Sequence, residues 1–220
     1  MGRILAVVSH PDDETFGCGG TLALHAAQGN DVKVLCLTCN PRSRKEELLG
    51  ACHALEVPKP IIFEEDDVKP SKELIKRVAD VIIEEKTQII ITHLPFDYHA
   101  DHIATHEIVK DAIEWAAHTT TYSNPWHAER LLLMEINTLI PIPHVLIDIT
   151  ATMERKIAAV NKYESQLSKF SWGYYQSFTV KKAELRGTQA GCVFAEAFLE
   201  EPIAKNGPFY EAKATKNLLR

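Results

Sequence analysis

The alternation of apolar runs with helix-like segments constrains this chain more than any other feature. Runs near residues 3–9, 32–38, 60–63 and 88–92 read as strands, and segments near 14–29, 43–56 and 71–86 read as helices between them. Unbroken apolar character, as in Ile4-Leu5-Ala6-Val7-Val8, marks strands buried on both faces. Gly29-Asn30-Asp31 supplies a helix stop, and Ser71 with Glu73 supplies a helix start. Strands separated by helices of this length build right-handed βαβ units on a parallel sheet. The expected fold class is therefore α/β, a Rossmann-like three-layer fold with a mainly parallel sheet flanked by helices.

Past the fourth strand the pattern predicts a helix near 102–117. A polar stretch over 118–130 is expected near the pocket rim. Apolar runs at 131–137 and 144–149 would extend the sheet. Helices near 150–167 and 179–199 would close the chain before a polar tail ending at Arg220. No repeat or linker divides the sequence. A chain of 220 residues suits one sizeable core, so 1–220 is read as a single domain with a core over about 1–150 and a C-terminal helical elaboration over about 150–220.

Charge and cysteine usage exclude some classes. A net charge of −6 argues against a nucleic-acid partner, which would need a basic face. No run approaches the roughly 20 apolar residues of a membrane span, so no membrane partner is expected. Met1-Gly2-Arg3 followed by a strand lacks the features of a signal peptide, and Ala6 stands where an acylation motif needs Ser or Thr. Five scattered cysteines fit a reduced, cytoplasmic setting better than a disulfide framework. Cys36-Leu37-Thr38-Cys39 ends a strand and has no second pair, so it reads as ordinary strand-end cysteines.

Two clusters carry chemistry. Ser9-His10-Pro11-Asp12-Asp13-Glu14 follows the first strand, and His99-Ala100-Asp101-His102 follows the fourth. Carboxyl ends of strands in an open α/β sheet are where ligands bind. Two imidazoles and a carboxylate are a common ligand set for catalytic zinc, with one position left for water. Adjacent Asp12 and Asp13 point in different directions, so one can bind metal while the other takes a proton. Three competing readings stay open at this point. Asp12-Asp13-Glu14 would also suit a helix N-terminal dipole. His102 and His106, four apart, form an alternative metal pair. Gly17-Cys18-Gly19-Gly20 invites a dinucleotide reading, but its spacing is wrong and the preceding acidic groups would repel a pyrophosphate; close packing of the helix on the sheet is the preferred reading.

Taken together, these residues resemble the LmbE-like or PIG-L-type zinc-dependent N-deacetylases. The likeness extends over Gly17-Cys18-Gly19-Gly20-Thr21, Arg44 and Glu47, Ile147-Asp148-Ile149-Thr150, Lys156, Tyr163-Glu164-Ser165-Gln166 and Ala195-Glu196-Ala197-Phe198. Ser9 departs from the usual Ala, and Leu55-Glu56-Val57 from the usual Leu-Gly-Val. The resemblance implies that His10, Asp13 and His102 hold one zinc ion per chain and that Asp12 is the general base. It implies that His99 stabilises the oxyanion, with Asp101 orienting it and keeping it protonated.

Arg44, with Glu47 as its partner, would grip a polar part of the substrate, or the two form an ordinary surface pair. Tyr98, Tyr163 and Trp126 would line a sugar site, or serve as core and rim aromatics. The implied activity is deacetylation of a small-molecule N-acetylated amino sugar or its glycoside. The alternatives are a zinc amidohydrolase acting on a non-sugar N-acyl substrate and a non-catalytic ligand-binding module. Homo-oligomers are common among soluble enzymes, and the sequence leaves that state open.

Overall fold

The computed structural model describes residues 1–206 and 209–210; the tail predicted to end at Arg220 lies outside them. The chain runs through β1 (Arg3–Val8), α1 (Asp13–Ala27), β2 (Asp31–Thr38), α2 (Ser43–Ala54), β3 (Ile61–Glu65), α3 (Lys72–Glu84), β4 (Ile89–Thr92) and α4 (Ala100–Ala116). It continues through β5 (Arg130–Met134), β6 (Val145–Asp148), a 3-10 turn (Thr150–Thr152), α5 (Met153–Val160), α6 (Glu164–Leu167), α7 (Tyr174–Ala190) and β7 (Ala195–Glu201). Short strands β8 (Ala204–Asn206) and β9 (Phe209–Tyr210) pair as a ribbon.

Seven strands form one sheet in the order β3-β2-β1-β4-β5-β7-β6. Among the described residues only β7 runs against the rest, pairing antiparallel with both β5 and β6. The predicted α/β architecture is the one observed. Side-chain alternation along β1 divides the core. Ile4, Ala6 and Val8 pack with residues of α1, α2 and α5, whereas Leu5 and Val7 pack with α3 and α4. Burying each large aliphatic chain contributes about 1.5–3 kcal/mol, so a central strand filled on both faces fixes its register firmly.

From β1 the chain winds outward to β3, then returns to lay β4 on the other side of β1. The switch point of the sheet therefore lies between the carboxyl ends of β1 and β4, where an α/β sheet opens a crevice.

Helix α1 sits close to the sheet because its glycines allow it. A Cβ on Gly20 would lie 2.6 Å from Ile149 Cδ1, and one on Gly17 would overlap Met134 Sδ. The helix is broken at Cys18 (φ −141°, ψ 16°). Glu196 of β7 accepts the buried N–H groups of Gly20 (2.9 Å) and Thr21 (2.8 Å) and pairs with Lys156. Lys156 and Lys182 both donate to the Phe16 carbonyl at 3.2 Å. Lys182 also donates to the carbonyls of Glu135 (2.8 Å) and Ile136 (2.9 Å), and Arg186 pairs with the Glu135 carboxylate. The backbone groups freed by the break thus meet buried charges.

Three predicted segments differ. The helix expected near 179–199 begins at Tyr174, ends at Ala190 and gives way to β7. Ala-Glu-Ala-Phe-Leu-Glu-Glu has helical propensity, but pairing on both edges overrides it. The helix expected over 150–167 breaks after Val160, which lets Tyr163 turn inward to Glu14. The 118–130 stretch is not at the pocket rim: Trp126 donates to the Thr87 carbonyl and Glu129 to that of Gln88, at the amino end of β4.

Candidate active site

A cleft of about 280 Å³ opens at the switch point, lined by His10, Asp12, Asp13, His99, His102 and Arg44 among others. The turn leaving β1 is bent sharply. Asp12 takes φ 115°, a left-handed value rare for a side-chain-bearing residue. Such strain costs on the order of 1–3 kcal/mol and persists only where the surroundings enforce it. They do so here: Arg44 donates to Asp12 Oδ2 (2.6 Å) and to the Pro11 carbonyl, and the Asp12 N–H donates to Glu14 Oε2 (3.1 Å). Glu14 is itself anchored by the hydroxyls of Thr15 and Tyr163, each at 2.5 Å. The strained turn aims Asp12 and Asp13 apart.

Asp13 lies at the centre of the imidazoles. Its Oδ1 is 3.2 Å from His102 Nε2, and its Oδ2 is 3.4 Å from His10 Nδ1 and accepts the His10 N–H at 2.8 Å. Donor atoms of His10, Asp13 and His102 lie within 4.8 Å of one another, close enough to share an ion. Each histidine is backed by a carboxylate on its other nitrogen. His10 Nε2 is 2.8 Å from Asp101 Oδ2, and His102 Nδ1 is 3.3 Å from Asp97 Oδ2. This carboxylate–histidine pattern fixes ring orientation in metal sites. The residues present therefore fit a divalent cation.

The electrostatics agree. Burial pushes His102 down, but Asp13 and Asp97 outweigh it and raise the imidazolium to about 10. His10 is raised in the same way, burial being outweighed by Asp13 and Asp101. Burial also works against ionised Asp13, yet the charge of His102 and hydrogen bonds from His10 and His102 hold it well below the carboxylate range. A site that draws protons onto its histidines this strongly is a site short of positive charge, and a metal ion would replace those protons. Asp12 behaves differently: burial and neighbouring Asp13 raise it well above the usual range, against the pull of Arg44.

His99 caps α4, accepting the Asp101 N–H on Nδ1 at 3.2 Å. The neutral ring then carries its proton on Nε2. Burial, His102 and His10 lower its pKa. Asp101 meets His99 only through its backbone N–H while its carboxylate lies on His10, so it does not keep His99 protonated as expected.

Several predicted residues sit elsewhere in the network. Arg44 lines the cleft, but its guanidinium is held by Asp12 and Pro11, and Glu47 binds Ser165 (2.7 and 2.8 Å) rather than Arg44. Tyr98 stands at the mouth, 73% exposed, with Asn137 donating to its hydroxyl at 3.3 Å. Tyr163 is fully buried and Trp126 is remote, so neither lines the cleft. His106 Nε2 faces Glu201 at 2.6 Å, which removes the His102/His106 pair.

Sequence reasoning missed Asp97 and His93. Asp97 sits in the loop five residues before His102, outside any helical or strand period that would have marked it. His93 accepts the Ser9 N–H on Nε2 (2.9 Å) and stacks on His102 with centroids 4.1 Å apart. Burial and the nearby His102 push it down to about 3, so it packs as a neutral ring.

A two-histidine, one-carboxylate set that could hold a metal ion, with a separate aspartate beside it, lies at the switch point of an α/β sheet. Residues 5–113 match the family described as PIG-L, GlcNAc-PI de-N-acetylase, and the chain belongs to that family. It is similar to the diacetylchitobiose deacetylase of Thermococcus kodakarensis, 24% identical across 88% of this chain and 81% of that protein. Among solved structures, the conserved protein TT1542 of Thermus thermophilus superposes with a TM-score of 0.84 at 26% identity, covering 96% of this chain and 100% of that one. GalB, the 4-carboxy-2-hydroxymuconate hydratase of Pseudomonas putida KT2440, shares the fold with a TM-score of 0.78 at 22% identity, over 99% of this chain and 100% of its own. One scaffold thus hosts more than one reaction, and function has to be argued from the site.

No helix among the described residues is long and apolar enough to cross a membrane.

Proposed function

We propose that this chain is a zinc-dependent hydrolase that removes the acetyl group from an N-acetylated amino sugar or its glycoside. The observation that carries this reading is the convergence of His10, Asp13 and His102 at the cleft, each histidine braced by a carboxylate. Likeness to a diacetylchitobiose deacetylase supports the sugar amide as substrate.

A zinc ion, if held by those three residues, would supply Lewis-acid polarisation of the acyl oxygen and make water at the site easier to deprotonate. Asp12 faces the same cleft without belonging to the ligand set. Its carboxylate takes the proton of the attacking water and passes it to the amide nitrogen. The C–N bond then breaks, releasing acetate and the free amine. Arg44 holds Asp12 in place at 2.6 Å, so the base is fixed before substrate arrives. His99 presents its Nε2–H to the oxygen on which charge develops, a preorganised donor of the oxyanion-hole kind.

Acetate release from a panel of N-acetylated amino sugars, run beside N-acyl amino acids with metal-loaded protein, tests the reading. Turnover confined to amino sugars is expected. Turnover of N-acyl amino acids alone would transfer the chain to a different amidohydrolase class.

A further inference from the structure

Behind the cleft, the carboxyl ends of β1 and β4 are joined by buried polar side chains that no step of the proposed chemistry uses. Ser9 immediately precedes His10, and each of its polar atoms is bound by a different part of the fold. Its N–H donates to Nε2 of His93, the residue after β4, at 2.9 Å. Its carbonyl accepts the N–H (3.0 Å) and the hydroxyl (2.8 Å) of Thr38 on β2. Its hydroxyl donates to the Asp101 carbonyl of α4 at 3.1 Å, and the Thr105 hydroxyl lies 2.7 Å from the same oxygen. Ser9, His93 and Thr105 are all buried.

These contacts reach the candidate metal ligands from both sides. His93 stacks on His102 with centroids 4.1 Å apart and planes 22° apart, and its Nε2 lies 3.6 Å from Asp13 Oδ2. Asp101, whose carbonyl Ser9 holds, immediately precedes His102. Keeping an imidazole here carries a cost, because His93 Nδ1 is buried without a hydrogen-bond partner among the described residues. A phenyl ring would stack on His102 as well and leave no such atom. What a phenyl ring lacks is the other nitrogen, which satisfies a buried backbone N–H beside a ligand. The Ser9 hydroxyl adds a second link that the usual Ala at this position could not make.

We propose that Ser9, His93 and Thr105 form a clasp that sets the spacing of the metal ligands, with His93 as its positioning residue. The ring of His93 fixes the plane of His102, and its Nε2 fixes the backbone from which His10 and Asp13 depart. Ligands held at their spacing before the ion arrives lose less freedom on binding it, so the clasp governs how tightly the ion is held. It touches neither the ion nor the substrate. The proposal rests on the metal set of the deacetylase reading above.

The test is zinc affinity, measured by competition with a chromophoric chelator on the full chain, for wild type and for His93→Phe, His93→Gln and Ser9→Ala. His93→Phe keeps a stacked ring and removes the acceptor; it is expected to weaken zinc by about 10- to 100-fold, the range for groups that orient a ligand. His93→Gln returns an oxygen acceptor near the position of Nε2 and should bind within about threefold of wild type. Ser9→Ala removes one hydroxyl and should weaken zinc by about two- to tenfold. Thermal unfolding of the metal-free proteins separates a purely structural role, which would lower the unfolding temperature of His93→Phe and leave the affinity of the folded protein unchanged. Wild-type affinity in folded His93→Phe, or equal weakening in the Phe and Gln variants, overturns the clasp. Should His93→Phe fail to fold, Ser9→Ala decides: weaker zinc at an unchanged unfolding temperature supports the clasp, and wild-type affinity overturns it. The expected affinities without turnover of any amino sugar would overturn the deacetylase reading and leave the clasp standing, whereas a wild type that binds no zinc overturns both.

Discussion

Two clusters of buried charge flank the first turns of α1, and they are built on opposite rules. At the break in α1, Lys156, Lys182 and Arg186 meet Glu135, Glu196 and backbone carbonyls, and every charge has a partner. At the start of α1, four aspartates (Asp12, Asp13, Asp97 and Asp101) face one arginine and a group of histidines, beside an open cleft. The first cluster is closed: Lys156 and Arg186 meet carboxylates, and Lys182, pushed down to about 7 by burial, is met by backbone carbonyls, which is what a structural role requires. The second leaves negative charge over for a cation and gives it a way in. Burial and charge alone do not identify a functional site; unbalanced charge next to accessible space does.

That contrast can be broken by substitution. The largest effect is expected for His102→Ala, which removes a ligand: metal content and turnover should both collapse, by more than the roughly 10- to 100-fold typical of outer-sphere partners. Retained stoichiometric metal in that variant would remove His102 from the ligand set. Asp12→Asn should lower kcat by about 10²- to 10⁴-fold, the range for a lost general acid–base, and near-normal turnover would mean that another group moves the proton.

Glu196→Ala strikes the other cluster. It strands Lys156 and the N–H groups of Gly20 and Thr21, so denaturant unfolding should report a loss of about 3–5 kcal/mol. The folded fraction should still bind metal; loss of metal from protein that remains folded would show that the two clusters are not separable. The smallest effect is expected for Asp97→Asn, which removes the charge behind His102: metal affinity should fall by about 10- to 100-fold while the fold stays intact. Wild-type affinity in that variant would strip the far nitrogen of His102 of any part in the site.

What the sequence made legible follows the same division. Strands β1 to β4 and their helices are written in contiguous apolar runs, and the His10–Asp13 and His99–His102 segments declare themselves because each is local and each ends a strand. The closed cluster was not legible. Lys156, Lys182 and Arg186 look like solvated helix faces until Glu196 arrives on β7, and β7 itself reads as helix because its pairing partners lie far away in sequence. Asp97 was passed over because its role depends on the far nitrogen of His102, a contact that no periodicity records. The partners of Arg44 and Glu47 were exchanged for the same reason: three residues apart on a helix they look like a pair, whereas the fold gives one to Asp12 and the other to Ser165.

The central claim is that neighbouring aspartates do unlike work, Asp13 on the metal and Asp12 on the proton. The most direct test is zinc stoichiometry, measured by plasma emission on zinc-loaded, gel-filtered Asp12→Asn and Asp13→Asn side by side with wild type. The account predicts stoichiometric zinc in wild type and Asp12→Asn, and strongly depleted zinc in Asp13→Asn. Depletion in Asp12→Asn with zinc retained in Asp13→Asn would contradict it.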